Sequence, residues 1–509
     1  MPLASLRHAR PRNADGLSSL ARAAHDGKNP AREIPVQCPE AGQFLTARRL
    51  EAFDNPRRDI ESARKPSRDC DHAGSAGRRI LRGFSIGLFR INLTESFTMT
   101  TLEQQALEYH AAGQRGKIAI QVTKPVASQA DLALAYSPGV AVPCVEINKD
   151  PAKAYEYTAK GNLVGVITNG TAVLGLGDIG ALAGKPVMEG KAVLFKKFAG
   201  IDAFDIEIDE TDPDKLVEII AALHPTFGGI NLEDIKAPEC FAVERQLRER
   251  LSIPVFHDDQ HGTAIVVGSG FLNALHLTGR DISLAKVVCS GAGAAALACL
   301  DMLVDLGVRR ENVYVCDSRG VLTTARELTG EKRAWAQDTT AQTLSDVIGM
   351  ADVFLGLSGP GLLKQEDVKK MAAQPIVFAL ANPEPELRPE LVLEVAPDAI
   401  VATGRSDYPN QINNALCFPY LFRAALDSAA TNINQAMKRA CVVALAEMAR
   451  SDARFSKKYI VPTLLDERLL TGVTPKIAAA AAESGVARRE LDTAAYTARL
   501  AALARTLLN

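Results

Sequence analysis

One stretch restricts the fold of this chain more than any other. The apolar residues 285–290 predict a buried strand, and a helical pattern continues to Leu306 after a glycine-containing turn. The turn reads Gly291, Ala292, Gly293, Ala294, Ala295 and Ala296. A second predicted strand follows and ends at Asp317. A strand, a G-x-G-x-x-A turn, a helix, a strand and an acid in this order are typical of a dinucleotide-binding βαβ unit. The stretch therefore predicts a parallel sheet with a nucleotide at its carboxyl edge.

The residues after the second strand leave the choice of nucleotide open. Asp317 would accept a hydrogen bond from the 2′-hydroxyl of NAD, whereas Ser318 and Arg319 could hold the 2′-phosphate of NADP. We expect either cofactor, with a preference for NADP. Two later predicted strands lead to Ser358 and Asn382 at the same edge, so both residues are candidates for cofactor contacts. Asn382 can equally be a turn-forming residue.

Strands and helices also alternate upstream of this unit. Strands are predicted at residues 164–168, 172–176, 192–195, 204–208, 229–232 and 253–256, and helices at 213–223 and 238–251. This alternation favours an α/β fold with a second, mostly parallel sheet. Ala-rich helices are predicted near the end of the chain, at residues 436–449, 476–483 and 491–508.

Two strands of the upstream sheet are followed by adjacent acids. These acids are Glu233, Asp234, Asp258 and Asp259. Neighbouring residues on a strand face opposite ways, so both members of a pair can reach one ion only in a turn past the strand end. Crowded carboxylates suit a hard cation such as Mg²⁺ or Mn²⁺. The alternative is that the acids are helix N-caps or solvated turns.

Zinc is a second alternative for the same stretch. His257 and His261 are four residues apart, as in H-E-x-x-H. However, Asp258 stands where that motif has Glu, and His257 ends a predicted strand instead of lying in a helix. These differences disfavour zinc.

Two further side chains have both a structural and a chemical interpretation. Tyr136 ends a predicted helix before Pro138, where a tyrosine is commonly a half-buried packing residue. Lys191 precedes the predicted strand 192–195 and is either solvated or, in a metal-lined cleft, a base with a lowered pKa. Residues 175–180 also read G-x-G-x-x-G, but they predict a tight turn and not the main nucleotide site.

The first 98 residues differ in composition from the rest. They hold 17 Lys and Arg against 11 Asp and Glu, whereas the whole chain has a net charge of −2. We expect a mostly disordered extension, and Met99 could be the natural initiator.

The charge balance of the whole chain gives no argument for nucleic acid or a membrane, and no apolar run is long enough to span a membrane. The nine scattered cysteines are typical of reduced thiols, which favours the cytoplasm.

In combination, the motifs from residue 102 onward resemble those of malic enzymes, most closely the bacterial branch. They are Ala135-Tyr-Ser-Pro-Gly139, Gly175-Leu-Gly-Asp-Ile-Gly180, Glu189-Gly-Lys191, Asn231-Leu-Glu-Asp-Ile235, His257-Asp-Asp-Gln-His-Gly262, Gly291-Ala-Gly293, Ala381-Asn-Pro383 and Asn413-Asn414. The resemblance implies a malic-enzyme N-terminal α/β domain followed by a Rossmann-like NAD(P)-binding domain with a doubly wound parallel sheet. It further implies oxidative decarboxylation of (S)-malate to pyruvate and CO₂ with NAD(P)⁺ and Mg²⁺ or Mn²⁺, and decarboxylation of oxaloacetate.

The resemblance also assigns roles to individual residues. It implies metal ligands at Glu233, Asp234 and Asp259, a base at Lys191 and an acid at Tyr136. It further implies substrate contacts by Asn382 and Asn414, and cofactor contacts by residues 291–296. The implied domains are residues 99–258 and 259–495, with 496–509 as the end of a C-terminal helix. A homodimer or homotetramer is implied as well.

The chain departs from the family pattern in two places. Ala172 stands where the eukaryotic branch has an arginine that grips the substrate. At 509 residues the chain is too short for the phosphotransacetylase-like domain of some bacterial relatives, so we expect a short form. The rival interpretations are another metal-dependent 2-hydroxy-acid or amino-acid dehydrogenase of the same plan, and a non-catalytic nucleotide-binding protein.

Overall fold

The computed structural model describes residues 101–328 and 330–508. These residues belong to one compact unit. The predicted disordered extension and Met99 lie outside the described residues. None of the helices in the described ranges combines the length and apolar character that crossing a bilayer requires.

The first sheet has four parallel strands in the order β2-β1-β3-β4. They are β1 (Leu163–Thr168), β2 (Asp202–Glu207), β3 (Gly229–Leu232) and β4 (Val255–His257). Every residue of β1, β3 and β4 is buried, as expected for parallel strands covered on both faces. Because β3 and β4 are parallel neighbours, the residues that follow them lie at one edge.

Eight helices precede or surround this sheet in the described part of the chain. They are α1 (Thr101–Ala111), α2 (Gln129–Ala135), α3 (Ala141–Lys149), α4 (Ala154–Tyr157), α5 (Ala181–Ala199), α6 (Pro213–Leu223), α7 (Glu239–Arg250) and α8 (Asp258–Thr278). The predicted helices at 213–223 and 238–251 are confirmed. Helix α8 begins directly after β4 and leads towards the second sheet.

Two predicted strands are wrong. Residues 192–195 lie inside α5, because an apolar run of four residues cannot distinguish a strand from a buried helical turn. The helical period was present in the buried residues Met188, Ala192, Phe195 and Ala199, although Pro186 within the helix obscured it. Residues 172–176 form only an isolated bridge between Val173 and Gly177.

The second sheet has six strands in the order β10-β9-β8-β5-β6-β7, all parallel except the edge strand β7. They are β5 (Val287–Ser290), β6 (Val313–Asp317), β7 (Gly320–Val321), β8 (Val353–Gly356), β9 (Ile376–Ala379) and β10 (Ile400–Thr403). The predicted doubly wound α/β fold is confirmed. The strand order reverses between β5 and β8, where open α/β sheets bind their ligands.

The remaining helices cover this sheet and complete the core. They are α9 (Ala294–Leu306), α10 (Leu344–Val347), α11 (Gln365–Val368), α12 (Pro389–Val395), α13 (Phe418–Asp427), α14 (Gln435–Arg450), α15 (Leu469–Glu483) and α16 (Thr493–Leu508). Helix α15 begins earlier than predicted because Pro475 lies within it. The predicted boundary at residues 495/496 falls inside α16. One apolar cluster contains Val164 and Phe256 of the first sheet together with Val287 and Val315 of the second, so the two sheets share a core.

Candidate active site

Three acids meet at the carboxyl edge of the first sheet. Glu233 and Asp234 directly follow β3, and Asp259 lies in the first turn of α8 after β4. One carboxylate oxygen from each lies within 4.8 Å of the others. The backbone N–H of Asp234 donates to Asp259 Oδ2 at 2.8 Å, and Asn231 Nδ2 donates to Glu233 Oε2 at 2.8 Å. Asp234 adopts a left-handed φ of 54°, which an aspartate tolerates, so both acids of the pair turn to the same point.

The charges of this cluster are poorly compensated by the chain itself. Burial, and then the charge of Asp259, raise the pKa of Asp234 to about 9. Burial also raises the pKa of Glu233 to about 7 and that of the partly exposed Asp259 above its ordinary range. The Oδ2 atom of Asp234 is buried without a hydrogen-bond partner. An oxygen-rich, anionic group with an orphaned acceptor fits a hard divalent cation.

Lys191 lies next to the cluster on α5. Its ammonium Nζ is 2.6 Å from Asp258 Oδ2 and 2.7 Å from Glu233 Oε1, and it lies 4.4 Å from the ring centroid of Phe418. Burial alone would lower the pKa of Lys191, but the two carboxylates outweigh burial and raise it. The sequence predicted a lowered pKa only for a metal-lined cleft, and that stays a prediction.

Asp258 does not join the other acids, although it belongs to the second acid pair. It is fully buried and faces Lys191 instead. A Cβ on Gly262 would lie 2.0 Å from Asp258 Oδ1 and 2.8 Å from Asn414 Cβ, so glycine is required there. The same contact places Asn414 beside the partner of Lys191. The resemblance, which implied only Asp259 of this pair as a metal ligand, was a sequence signal for the separate position of Asp258.

The histidines of this stretch do not form a zinc site. His261 Nε2 lies 2.9 Å from both carboxylate oxygens of Glu244, and His257 is fully buried with neither ring nitrogen hydrogen-bonded. In residues 101–328 and 330–508, the acid cluster is the one group of three or more such side chains that could hold a metal. The zinc alternative is therefore not supported.

Tyr136 lies on the surface of the described chain. It follows α2, and its residue is 76% exposed. The half-buried packing position expected from the sequence is wrong, because α2 buries none of its residues against the described chain.

The predicted nucleotide turn lies at the carboxyl end of β5. Gly291 has a φ of 117°, and a Cβ there would lie 2.4 Å from the carbonyl oxygen of Leu357, so the turn needs glycine. Gly293 is the N-cap of α9, and Ala294 and Ala295 form its first turn, which Ala292 precedes. Their backbone N–H groups are therefore near the helix N-terminus, which attracts phosphate.

Two predicted contact residues border this turn from neighbouring strands. Ser358 Oγ is 2.8 Å from Ser290 Oγ, and the Ser358 N–H donates to Glu386 Oε1 at 2.9 Å. The carbonyl oxygen of Asn382 closely approaches Gly175. The Gly175 turn is itself tied to the acids, since the Ala172 N–H donates to the Asp234 carbonyl oxygen at 3.0 Å. The loop after β9 thus connects the nucleotide turn to the acid cluster.

Asp317 is engaged by cations that the sequence analysis missed. Arg326 Nη2 contacts its two carboxylate oxygens at 2.9 and 3.0 Å, and Lys332 Nζ lies 3.3 Å away. The Arg319 N–H also donates to it at 2.9 Å. These donors outweigh burial and lower the pKa of Asp317. Ser318 and Arg319 are exposed beside it. Arg326 and Lys332 approach through the chain that follows β7, which no local pattern predicted.

Comparisons with known proteins agree with the resemblance seen in the motifs. Residues 115–248 match the family model "Malic enzyme, N-terminal domain", and residues 260–486 match "Malic enzyme, NAD binding domain". The chain is 60% identical over 406 residues to the NADP-dependent malic enzyme of Escherichia coli (strain K12), which covers 77% of this chain and 54% of that protein. It thus spans about half the length of the first curated relatives it matches.

A shorter relative and a solved structure match over nearly their whole length. An NADP-dependent malic enzyme of Halomonas elongata is 54% identical over 400 residues, which is 76% of this chain and 95% of the relative. The crystal structure of malic enzyme from Pyrococcus horikoshii Ot3 has a TM-score of 0.74 and 43% identity, and it covers 80% of this chain and 99% of that one.

Proposed function

Because this chain belongs to the malic enzyme family, we propose that it oxidatively decarboxylates (S)-malate to pyruvate and CO₂ with reduction of NAD(P)⁺. We also propose that it decarboxylates oxaloacetate. The observation that carries the proposal is the buried Lys191 beside the cluster of Glu233, Asp234 and Asp259. A 2-hydroxy acid needs both a base at its hydroxyl and an electrophile at its carboxylate, and this arrangement supplies a place for each.

We propose that Glu233, Asp234 and Asp259 hold Mg²⁺ or Mn²⁺. Such a cation would act as a Lewis acid towards the substrate. Its positive charge would also oppose the carboxylates that now raise the pKa of Lys191. Lys191 can then accept the proton of the C2 hydroxyl, while the Asp258 carboxylate keeps the Lys191 amine or ammonium oriented. Asn414 and Asn382 carry amide donors suited to a substrate carboxylate. The remaining acid step, protonation at C3, is assigned to Tyr136.

We further propose the cofactor site and the division of the chain. Residues Gly291, Ala292, Gly293, Ala294 and Ala295 bind the pyrophosphate, with Ser358 and Asn382 along the cofactor. Residues 99–258 carry Lys191 and the first acid pair, and residues 259–495 carry the nucleotide turn. A reducing compartment such as the cytoplasm is supported by the seven described cysteines, all of which are free thiols.

The direct test is a spectrophotometric assay with (S)-malate, Mn²⁺ and either NAD⁺ or NADP⁺. We expect malate-dependent cofactor reduction with one pyruvate formed per reduced nucleotide. No turnover with either nucleotide, in folded protein that binds Mn²⁺, would move the assignment to another 2-hydroxy acid or an amino acid. Nucleotide binding without Mn²⁺ binding or turnover would favour a non-catalytic nucleotide-binding protein.

We propose a preference for NADP⁺. Asp317 is already satisfied by Arg326 and Lys332, so it is a poor acceptor for a ribose hydroxyl. The same cations, with Ser318 and Arg319, suit a 2′-phosphate. We expect Lys332→Gln to lower kcat/KM for NADP⁺ by roughly 10-fold or more and to change that for NAD⁺ little. The exposed Lys286, at the amino edge of the same sheet, is the matched control as Lys286→Gln. An equal loss for both nucleotides would contradict the preference.

We propose that the protein is a homodimer, or a homotetramer built from such dimers, in which Tyr136 serves the partner's site. The segment before β1 exposes many apolar side chains, including Tyr109, Ile120, Leu134 and Val142. Exposed apolar surface on this scale is typical of an interface. Tyr136 lies in the same segment, whereas Lys191 is buried in the chain's interior.

Co-expression of two inactive variants tests this arrangement. Tyr136→Phe and Lys191→Ala chains should each be inactive alone, and together they should recover about a quarter of wild-type activity, since half the dimers would contain one intact site. A monomer in light scattering, or no recovery from dimers shown to contain both variants, would contradict the arrangement.

A further inference from the structure

A cavity of about 350 Å³ lies between α7, α8, α9, α14 and the 3-10 helix Gly330–Trp335. Its inner wall is formed by Lys438, His261, Leu297, Met302 and Trp335. None of the residues proposed above for metal, substrate or nucleotide lines it. The cavity is therefore separate from the candidate active site, although its wall includes His261 on the same helix as Asp259.

Lys438 is a buried cation without a carboxylate partner. Its residue is 7% exposed, and no carboxylate oxygen of the described chain lies within 4.0 Å of Nζ. Its one hydrogen-bonding contact is with His261 Nδ1 at 3.2 Å. His261 Nε2 faces the Glu244 carboxylate and must carry the proton, so Nδ1 accepts from the ammonium. Two of the three N–H groups of Lys438 therefore have no partner in the described chain.

Glu244 is the strongest counter-charge to Lys438, but its carboxylate reaches the ammonium only through His261. Its oxygens accept hydrogen bonds from the His257 N–H at 3.3 Å, Gln260 Nε2 at 3.4 Å and His261 Nε2. Burial lowers the pKa of Lys438 to about 8, so the ammonium stays mostly charged at pH 7. A buried ammonium with no carboxylate in direct contact is costly, and a bound anion would reduce that cost.

The other walls restrict which anion fits. Leu297, Met302 and Trp335 present apolar surface beside Lys438. Asp301, Glu331 and Arg310 also line the cavity, and both acids are exposed. Arg310 forms an ion pair with Asp301 at 3.6 Å. These acids would repel phosphate or a dicarboxylate more strongly than an anion of single charge. The chemistry suits one carboxylate attached to a small apolar body.

We propose that this cavity binds a small organic monocarboxylate, with its carboxylate on Lys438 and its apolar part against Leu297, Met302 and Trp335. This proposal does not depend on the proposed reaction. The carboxylate of the ligand would accept the two hydrogen bonds for which Lys438 has no partner in the described chain. It would also place a negative charge in direct contact with the ammonium. A volume of about 350 Å³ accommodates an anion the size of benzoate.

Isothermal titration with sodium benzoate, in EDTA and without nucleotide, tests the site on the full chain. We expect binding that weakens by roughly 10-fold or more in Lys438→Met and is unchanged in the exposed control Lys476→Met, because a charge-assisted hydrogen bond is lost only in the first. Neutral benzamide should bind poorly. A second variant, Ala298→Phe, keeps Lys438 but fills the cavity, and it should also lose benzoate.

Three outcomes would contradict the proposal. Benzoate binding that survives in both Lys438→Met and Ala298→Phe would overturn the proposal, as would no detectable benzoate binding to the wild-type chain. Tighter binding of inorganic phosphate than of benzoate at the same site would overturn the monocarboxylate class. Circular dichroism and the melting temperature confirm that each variant is folded.

Discussion

Replacing Lys191 with alanine will lower kcat for malate oxidation by roughly 10²–10⁴-fold, the range expected when a general base is removed. The KM for malate should change much less, because the base acts on the C2 hydroxyl proton during the reaction and does not hold the substrate carboxylates. Steady-state kinetics with saturating Mn²⁺ and the better nucleotide measure both parameters. Lys196→Ala is the matched control, since Lys196 lies on the same helix but is exposed and pairs only with Asp202.

Loss of stability must be separated from loss of chemistry in this variant. Removing Lys191 leaves Asp258 and Glu233 buried and unpaired, which by itself costs about 3–5 kcal/mol. The double variant Lys191→Ala with Asp258→Asn removes one of these charges and should regain part of the melting temperature. It should remain inactive. Full activity in the single variant, or recovered activity in the double variant, would remove Lys191 from its proposed role.

Replacing Asp234 with asparagine will weaken Mn²⁺ binding by roughly 100-fold or more while stabilising the chain in EDTA. The first effect follows from losing one of three clustered carboxylates. The second follows from relieving repulsion among buried acids that have no cation between them. Titration of Mn²⁺ by electron paramagnetic resonance and thermal melts with and without EDTA measure the two effects independently of activity. Asp209→Asn, an exposed acid just past β2, should change neither.

The stabilisation in EDTA should depend on pH in a defined direction. The pKa of Asp234 is about 9 in the folded chain and near the ordinary value of 3.8 in the unfolded chain, where the carboxyl is solvated. Between those values the folded chain binds more protons than the unfolded chain, so wild-type stability falls as pH rises, and the fall ends above about pH 9. The asparagine variant lacks this contribution. Its advantage in EDTA should therefore be larger at pH 8 than at pH 5, and a constant difference would argue against the raised pKa.

The sequence was most informative where chemistry and backbone conformation depend on neighbouring residues. The Gly291 turn was predictable because strand, glycine, helix and acid follow one another within one βαβ unit. The metal candidates Glu233 and Asp234 were predictable for a similar reason, since acids that follow parallel strands reach the same sheet edge. The alternation of strands and helices sufficed for the α/β fold with two sheets.

Features that depend on distant partners were not predictable in this way. The ion pair of Lys191 with Asp258 joins residues 67 positions apart, and it raises the pKa of the lysine. Lys438 and His261 are 177 positions apart and belong to no shared motif. Helix α5 was mistaken in part for a strand because four apolar residues fit both periodicities. The resemblance implied a role for Tyr136, but its exposure could not be predicted from the sequence.

Through helix α8, a cation held by the three acids would link the two sheets. Asp259 belongs to the first turn of a helix of 21 residues whose later turns are packed in the shared core, whereas Glu233 and Asp234 follow a strand of the first sheet. If α8 moves as a rigid body, a small tilt of its C-terminal turns displaces its first turn. Substitutions deep in the second half of the chain, far from any carboxylate, should therefore alter the spacing of the three acids. The affinity for the cation would then report on the packing of the whole molecule.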